Sequence, residues 1–360
     1  MRATHVLGRR RHYGAHNRLY RTITDLAIKR LIEKGQQAGP DLELTGPYLD
    51  GPGTNFLTNQ AITNAEDARE TVDYWSKRGI TSFKAYKYIE PDTLRAVITA
   101  AHAHGLKLTG HLCSVGFREA IAMGIDNLEH GLITGTDLVS TGERGVCPSR
   151  HEVGVAIAAV DMQGPQIQSL IHELIQHDVA ITSTLAVVVD AADDQPSLES
   201  LNSTKAAMSP CAWNDYLAIR KRMEKSPDKQ LSKIQIHKEM EFEREFFRQG
   251  GLLMAGADTT GIGDTIAGIA DQHEMELLIE AGFSASEAVR IFSLDGARYL
   301  GRDKEIGTIE KGKRADLLLL DGDFEHDPHA IEKPETVFKN GVAWDSAKLF
   351  ASVAGLAGEE

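Results

Sequence analysis

The sequence predicts an α/β fold of parallel strands flanked by helices, and three observations carry that prediction. Residues 79–130 alternate short apolar runs, TSFKAY, LKLTGH and the brief IDNLEH, with segments of helical character at 92–104 and 115–123. The connections between them are short, as in a βαβαβ series. Each run ends in or near a residue that can bind a metal, namely Lys84, His111 and His130. Ligand-type residues at successive strand ends converge at one rim of a parallel barrel or sheet.

Size and composition narrow the classes. A chain of 360 residues buries a large core and suits one big domain with a smaller piece, or two domains. At 42% apolar and 25% charged it resembles an ordinary globular protein. A net charge of -13 argues against nucleic acid and anionic membrane as partners. A small-molecule substrate is expected, and homo-oligomerisation stays open. Cys113, Cys147 and Cys211 include no closely spaced pair. A disulfide scaffold is therefore not expected, and an intracellular or metal-protected setting is. No apolar run is long enough to span a membrane. The opening MRATHVLGRRRHYGAH is basic and lacks the apolar centre of a signal peptide. A cytoplasmic location is expected for this chain, or an extracellular or periplasmic one if a leader precedes it.

Taken in order, residues 1–17 are expected to form a poorly ordered basic arm. Leu19, Ile23, Leu26, Ala27 and Leu31 recur at helical spacing, and Gly35 is a plausible stop. A short strand is expected at 42–46, and GPYLDGPGTNF reads as loop. Asn64 should cap a helix carrying Ala68, Val72 and Trp75. Pro91 suits the start of the next helix, where its missing N–H costs nothing, and Gly105 ends it. After 131–150, expected to be loop, helices are expected at 152–159 and 166–177. An apolar strand is expected at 179–189. Residues 190–229 interrupt the repeat as a polar insertion with some helix, and connections of that length are often functional. A helix at 232–249 leads to the strand GLLMAGAD, which ends at Asp258. Past the Gly-spaced segment 261–272, helices are expected at 273–280 and 286–299, the latter capped by Ser284. The end differs in kind: strands at 315–320, 336–339 and 342–344 surround an Asn340-Gly341 turn. The final ASVAGLAGEE has little to hold it.

Each candidate site residue has a plainer reading. Lys84 sits in an apolar β-like run, where an amine is costly unless it reaches solvent, finds a partner or changes state. His111 and His130 read singly as satisfied rim histidines, although imidazole suits zinc and related ions. Glu129 neighbours His130, but adjacent strand residues point to opposite faces, so it is not expected to orient that ring. Asp258 alone reads as a cap or turn aspartate. Their shared placement at strand ends favours a site. Cys113 lies near His111 without a separate base placed for it, and the glycines of GIGDTIAG lack the setting of a dinucleotide fingerprint.

SFKAY, LTGH, NLEHG and MAGADT together resemble the amidohydrolase superfamily of metal-dependent hydrolases. HEMELLIEAGFSASEAVRIFSLDGARYLG and IGTIEKGKRADLLLLDGD are specific for the branch holding imidazolonepropionase-like proteins and Xaa-Pro and Xaa-Arg dipeptidases. The resemblance runs from about Leu31 to Trp344. It implies a TIM-like (β/α)8 barrel over 18–303, with 190–229 as an insertion or lid. A partial small β-sandwich over 304–346 and a tail at 347–360 would complete the chain. It further implies one or two divalent ions, often zinc. Carboxylated Lys84 would bridge them, His111 and His130 would be ligands, and Asp258 would be both ligand and general base. The implied reaction is hydrolysis of a carbon–nitrogen bond in an amide, a dipeptide or a cyclic imide-like compound. Family members open with a strand ending in His-x-His, and no such strand precedes residue 40 here. The expected barrel is therefore N-terminally incomplete, and an impaired or inactive hydrolase-like scaffold is the second expectation. A deaminase-type member is the third, disfavoured by Lys84 because those sites are mononuclear.

Overall fold

The computed structural model describes residues 20–54, 59–139, 145–191, 198–259 and 265–356. The expectation for 1–17 falls outside them, as do 192–197 of the insertion and 261–264 of the Gly-spaced segment. The chain divides into two compact units. Of the described residues, one unit holds those up to Thr182 together with Glu245–Leu252, and the other holds Ser183–Arg244 with those from Leu253 onward.

The first unit begins with helix α1 (Tyr20–Glu33) and strands β1 (Tyr48–Asp50) and β2 (Asn59–Ala61). Residues 42–46 do not form the expected strand and contribute only an isolated bridge from Thr45 to Ser82. The strand forms instead inside the Gly- and Pro-rich stretch. It is held by pairing on both sides, with Asn59 across from Tyr48 and Ala85 across from Leu49. Gly51 follows it because a Cβ there would stand 1.8 Å from the Tyr88 carbonyl oxygen.

Helix α2 (Ala65–Ser76) starts where expected. The Asn64 side chain accepts from Glu66 N at 2.9 Å and Asp67 N at 3.0 Å, satisfying two otherwise orphaned donors. Its Ala68, Val72 and Trp75 are buried. Strand β3 (Ser82–Ala85), helix α3 (Pro91–Ala103), strand β4 (Lys107–Gly110), helix α4 (Phe117–Met123) and strand β5 (Asn127–Glu129) realise the βαβαβ series. Helices α5 (Arg150–Ala159) and α6 (Pro165–Gln176) lead to strand β6 (Ala180–Ser183). The hydrogen-bonded order is β2-β1-β3-β4-β5-β6, with parallel neighbours throughout. The fold is thus α/β with a parallel sheet and surrounding helices.

The expected strand at 179–189 is half helix. After Ser183 the chain enters helix α7 (Leu185–Ala191). Periodicity does not separate a continuous apolar run into strand and buried helix. Here the helix start is fixed by Glu274, whose carboxylate accepts from Leu185 N at 3.0 Å and Ala186 N at 2.6 Å. Helices α8 (Leu198–Ala207), α9 (Pro210–Met223) and α10 (Lys229–Arg248) fill most of the insertion and the segment after it. Strand β7 (Leu253–Ala255) is shorter than expected and ends before Asp258. Gly256 N donates to Ser183 O at 3.0 Å just beyond it.

Helix α11 (Ile269–Glu280) begins inside the segment expected to precede it. The expected helix 286–299 is three pieces: α12 (Ala285–Arg290), a π turn (Ile291–Asp295) and α13 (Gly296–Tyr299). Fully buried Asp295 sits in the wide turn with Arg290 Nε at 3.2 Å and Arg298 Nη1 at 2.9 Å. Strands β8 (Leu317–Leu320), β9 (Pro334–Lys339) and β10 (Val342–Asp345) form a separate three-stranded antiparallel sheet, ordered β10-β9-β8. The turn between the last two uses Asn340 at φ 52° and Gly341 at φ 78°, as a tight hairpin requires. The tail is better held than expected. Asp345 caps helix α14 (Ser346–Val353) by accepting from Lys348 N at 3.0 Å.

Candidate active site

Strand parity sets the site. Lys84 in β3 lies across from Thr109 in β4, which lies across from Asn127 in β5. Residues two apart share a face of a strand, so Tyr86, His111 and Glu129 follow on the same side. A polar ladder crosses the strands there. Asn127 Nδ2 donates to Thr109 Oγ1 at 2.8 Å and to Thr182 Oγ1 at 2.8 Å. Thr109 Oγ1 donates to Glu129 Oε1 at 3.1 Å. Glu129 is also the ion-pair partner of Lys84. The Lys84 side chain is 4% exposed and that of Glu129 13%, so this is a buried pair and its geometry matters.

The two histidines meet at this rim. The His111 and His130 rings lie 4.6 Å apart at 70°. Tyr86 stacks on His111 at 4.7 Å, and Tyr48 stacks on Tyr86 at 5.8 Å. The Lys84 amine stands 4.7 Å from the Tyr48 ring centroid. Burial pushes His111 well below the usual imidazole range, and the charges of His130, Lys84, Lys87 and Arg150 push the same way. His111 is therefore held neutral, the form in which a ring nitrogen binds a metal.

His130 reaches the site against strand parity, and this corrects the expectation for its neighbour. Strand β5 ends at Glu129, and His130 adopts φ 67° and ψ 12°, the left-handed region. A non-glycine residue there costs about 1–2 kcal/mol. The turn swings the ring back, so Glu129 and His130 no longer point to opposite faces. Glu129 Oε2 lies 3.7 Å from His130 Nε2. Parity holds only while the chain stays extended, and the following Gly131, also at positive φ (50°), was the available signal.

Cys113 and Cys147 form a disulfide, with Cα atoms 4.9 Å apart, contrary to the expectation of free thiols. Their spacing of 34 residues hid the pair. The bond ties the segment just after His111 to the start of α5, three residues before Arg150. Lys87 belongs to the same electropositive rim. Burial lowers its pKa first and Arg150 lowers it further, while Asp50 opposes them. Fully buried Asp50 braces the rim by accepting from Tyr88 N at 2.6 Å, Gly51 N at 3.0 Å and Asn59 Nδ2 at 3.1 Å.

Asp258 belongs to the other unit. It lies three residues past β7 at φ 39°, in a strained backbone region where aspartate is among the residues tolerated. Lys84, His111 and His130 are thus brought together within the first unit, and Asp258 follows β7 in the second.

The donor set fits a divalent ion in part. The His111 and His130 imidazoles suit zinc or a related ion. Lys84 as an ammonium on Glu129 has no lone pair to give. It fits only once carboxylation turns the amine into an anionic oxygen donor.

The amidohydrolase family model matches residues 11–343. A Xaa-Pro dipeptidase structure with bound methionine is similar with a TM-score of 0.60 at 17% identity, over 90% of this chain and 73% of that one. Bottromycin amidohydrolase is similar with a TM-score of 0.67 at 18% identity, over 92% of this chain and 72% of that one. At those identities the likeness shows the fold. The 5-methylthioadenosine/S-adenosylhomocysteine deaminase of Symbiobacterium thermophilum is 44% identical over 46 residues, 13% of this chain. That match spans only 11% of the deaminase. With the family model matched over most of its length and the parallel α/β fold in place, this chain belongs to the amidohydrolase family.

Proposed function

We propose that the protein hydrolyses carbon–nitrogen bonds of the amide or dipeptide type with the help of a divalent metal, zinc by preference. The observation that carries this reading is the convergence of Lys84, His111 and His130 on one rim of the parallel strands. A bound divalent ion lowers the pKa of water and polarises a carbonyl. The chain's own residues do the rest. Neutral His111 and, beside it, His130 would hold the ion, and Lys84 would join them when carboxylated. Before carboxylation Glu129, itself held by Thr109 of the Thr109–Asn127 ladder, pairs with the Lys84 ammonium. Asp258 accepts the proton of the attacking water and returns it to the leaving nitrogen. Lys87 and Arg150 place positive charge beside His111, which favours a substrate with a free carboxylate, as a dipeptide has.

The curated deaminase matches favour a second reading, deamination of a nucleoside-like substrate. It leaves buried Lys84 without a role and ranks below the first.

The test is metal content by elemental analysis alongside hydrolysis of dipeptides and N-acyl amino acids, with ammonia release from nucleosides as the competing assay. Lys84→Ala and Lys84→Arg should lose metal. Their turnover should fall by more than the roughly 10- to 100-fold that outer-shell changes cost. Asp258→Asn should lose turnover and keep more of the metal. Wild-type metal and rate in Lys84→Arg would refute the carbamate, and nucleoside deamination without peptide hydrolysis would select the second reading.

A further inference from the structure

A second group of metal-type donors stands in the unit that carries α11. Among the described residues, Glu276, His329 and Glu332 each present one donor atom, and these atoms all lie within 4.8 Å of one another. Glu276 projects from α11, while His329 and Glu332 stand on the 3-10 turn Pro328–Glu332. His329 Nδ1 is 3.0 Å from Glu276 Oε1 and 3.7 Å from Glu332 Oε1. A tetrahedral ion with bonds of about 2.0–2.1 Å sets its donor atoms about 3.3–3.4 Å apart. The two separations from His329 bracket that edge length, and the third pair lies within 4.8 Å, so side-chain movements would close the polyhedron.

Two further features set this group apart from a solvated surface cluster. Both carboxylates are largely buried, Glu276 at 10% and Glu332 at 4% side-chain exposure, while His329 faces solvent at 61%. Each carboxylate also has a partner outside the group. Ser200 Oγ donates to Glu332 Oε1 at 2.9 Å, and His273 Nδ1 lies 3.1 Å from Glu276 Oε2. Outer partners of this kind fix the ligands of metal sites. One imidazole with two carboxylates, open to water on the imidazole side, suits a first-row transition ion better than magnesium or calcium.

We propose that Glu276, His329 and Glu332 bind a structural zinc-class ion that joins α11 to the 328–332 turn. The ion would hold the turn immediately before β9 against the helix, with water in the remaining position. The site shares no residue with the rim at Lys84, so it stands or falls separately from the proposed reaction.

The experiment uses the full chain, stripped of metal and reloaded with Zn2+ or Co2+ alone. Variants His329→Ala and Glu332→Gln are made in the wild type and in Lys84→Ala, with exposed His326→Ala as control. After gel filtration each site variant should hold one ion fewer per chain than its parent. Each should also lose the part of the zinc-induced rise in Tm that Lys84→Ala retains. Co2+ bound to Lys84→Ala should show visible absorption that His329→Ala removes. His326→Ala should match its parent. Unchanged ion content in both site variants, or a Lys84→Ala chain that binds no Co2+ and gains no Tm from Zn2+, would overturn the proposal.

Discussion

Two buried clusters of ionisable groups solve opposite problems. At the Lys84 rim the charges are mixed: one amine, one carboxylate and two imidazoles lie close together. In the other unit Glu243 and Glu274, both fully buried, flank Ser183, nearly buried Glu239 neighbours Glu243, and all three are carboxylates. Burial pushes Glu243 well above the carboxylate range, and Glu239 and Glu274 add to it. Burial likewise raises Glu274 to about 7, against the hydrogen bonds from Ala186, Ser183 and Leu185. The first cluster is balanced by opposite charge. The second is eased by protonation and serves to start α7 behind β6. Burial of charge alone therefore does not distinguish the two clusters, and the sign of the neighbours does.

The sharpest way to break the comparison is to unbalance the first cluster. Glu129→Ala leaves the Lys84 amine buried without its carboxylate, at a cost of about 3–5 kcal/mol in urea unfolding. Lys84→Met combined with Glu129→Leu should recover most of that loss. If the single variant is as stable as wild type, the pair does not hold the rim.

Next comes the acidic cluster. A carboxyl raised from 4.5 to about 7 on folding makes the native state bind more protons than the unfolded one. Stability is then fully present below about pH 4.5 and falls as pH rises through 7, by roughly 3 kcal/mol for a shift of this size. Glu274→Gln should flatten that decline between pH 5 and 7.5 in denaturant titrations. An equally steep decline in the variant would assign it elsewhere.

Smaller effects sharpen the first cluster. Arg150→Gln should raise KM for carboxylate-bearing substrates about tenfold, equivalent to about 1.4 kcal/mol, and leave kcat near wild type. A fall in kcat at constant KM would contradict a binding role. His130→Gly should relieve about 1 kcal/mol of backbone strain while losing metal. A variant that is both less stable and fully metal-loaded would remove His130 from the site.

Much of this was legible in the residues. A lysine in TSFKAY is conspicuous because strands bury what they carry, and LTGH and LEHG put imidazoles at successive strand ends. Asn64, Pro91 and Ser284 announced their helices through local capping chemistry. What stayed hidden depends on distant partners. The run 179–189 shows no sign of where Glu274 will halt the strand. Glu239 and Glu243 sit among acidic neighbours in KEMEFERE, so their burial depends on which face of α10 meets Ser183. Glu129 was masked by a parity rule that fails at the first left-handed residue.

The disulfide has a practical consequence for anyone handling the protein. Closing a loop of 34 residues is worth roughly 3–4 kcal/mol against the unfolded chain. The same bond keeps the head of α5 beside the segment that follows His111. A thiol reductant would loosen the rim by breaking this bond, and would compete for any ion the proposed reaction uses. Purification and assay therefore call for non-thiol buffers. A preparation made in a reducing cytosol should be reoxidised and its Cys113–Cys147 bond verified by peptide mapping before its rates are compared with any other.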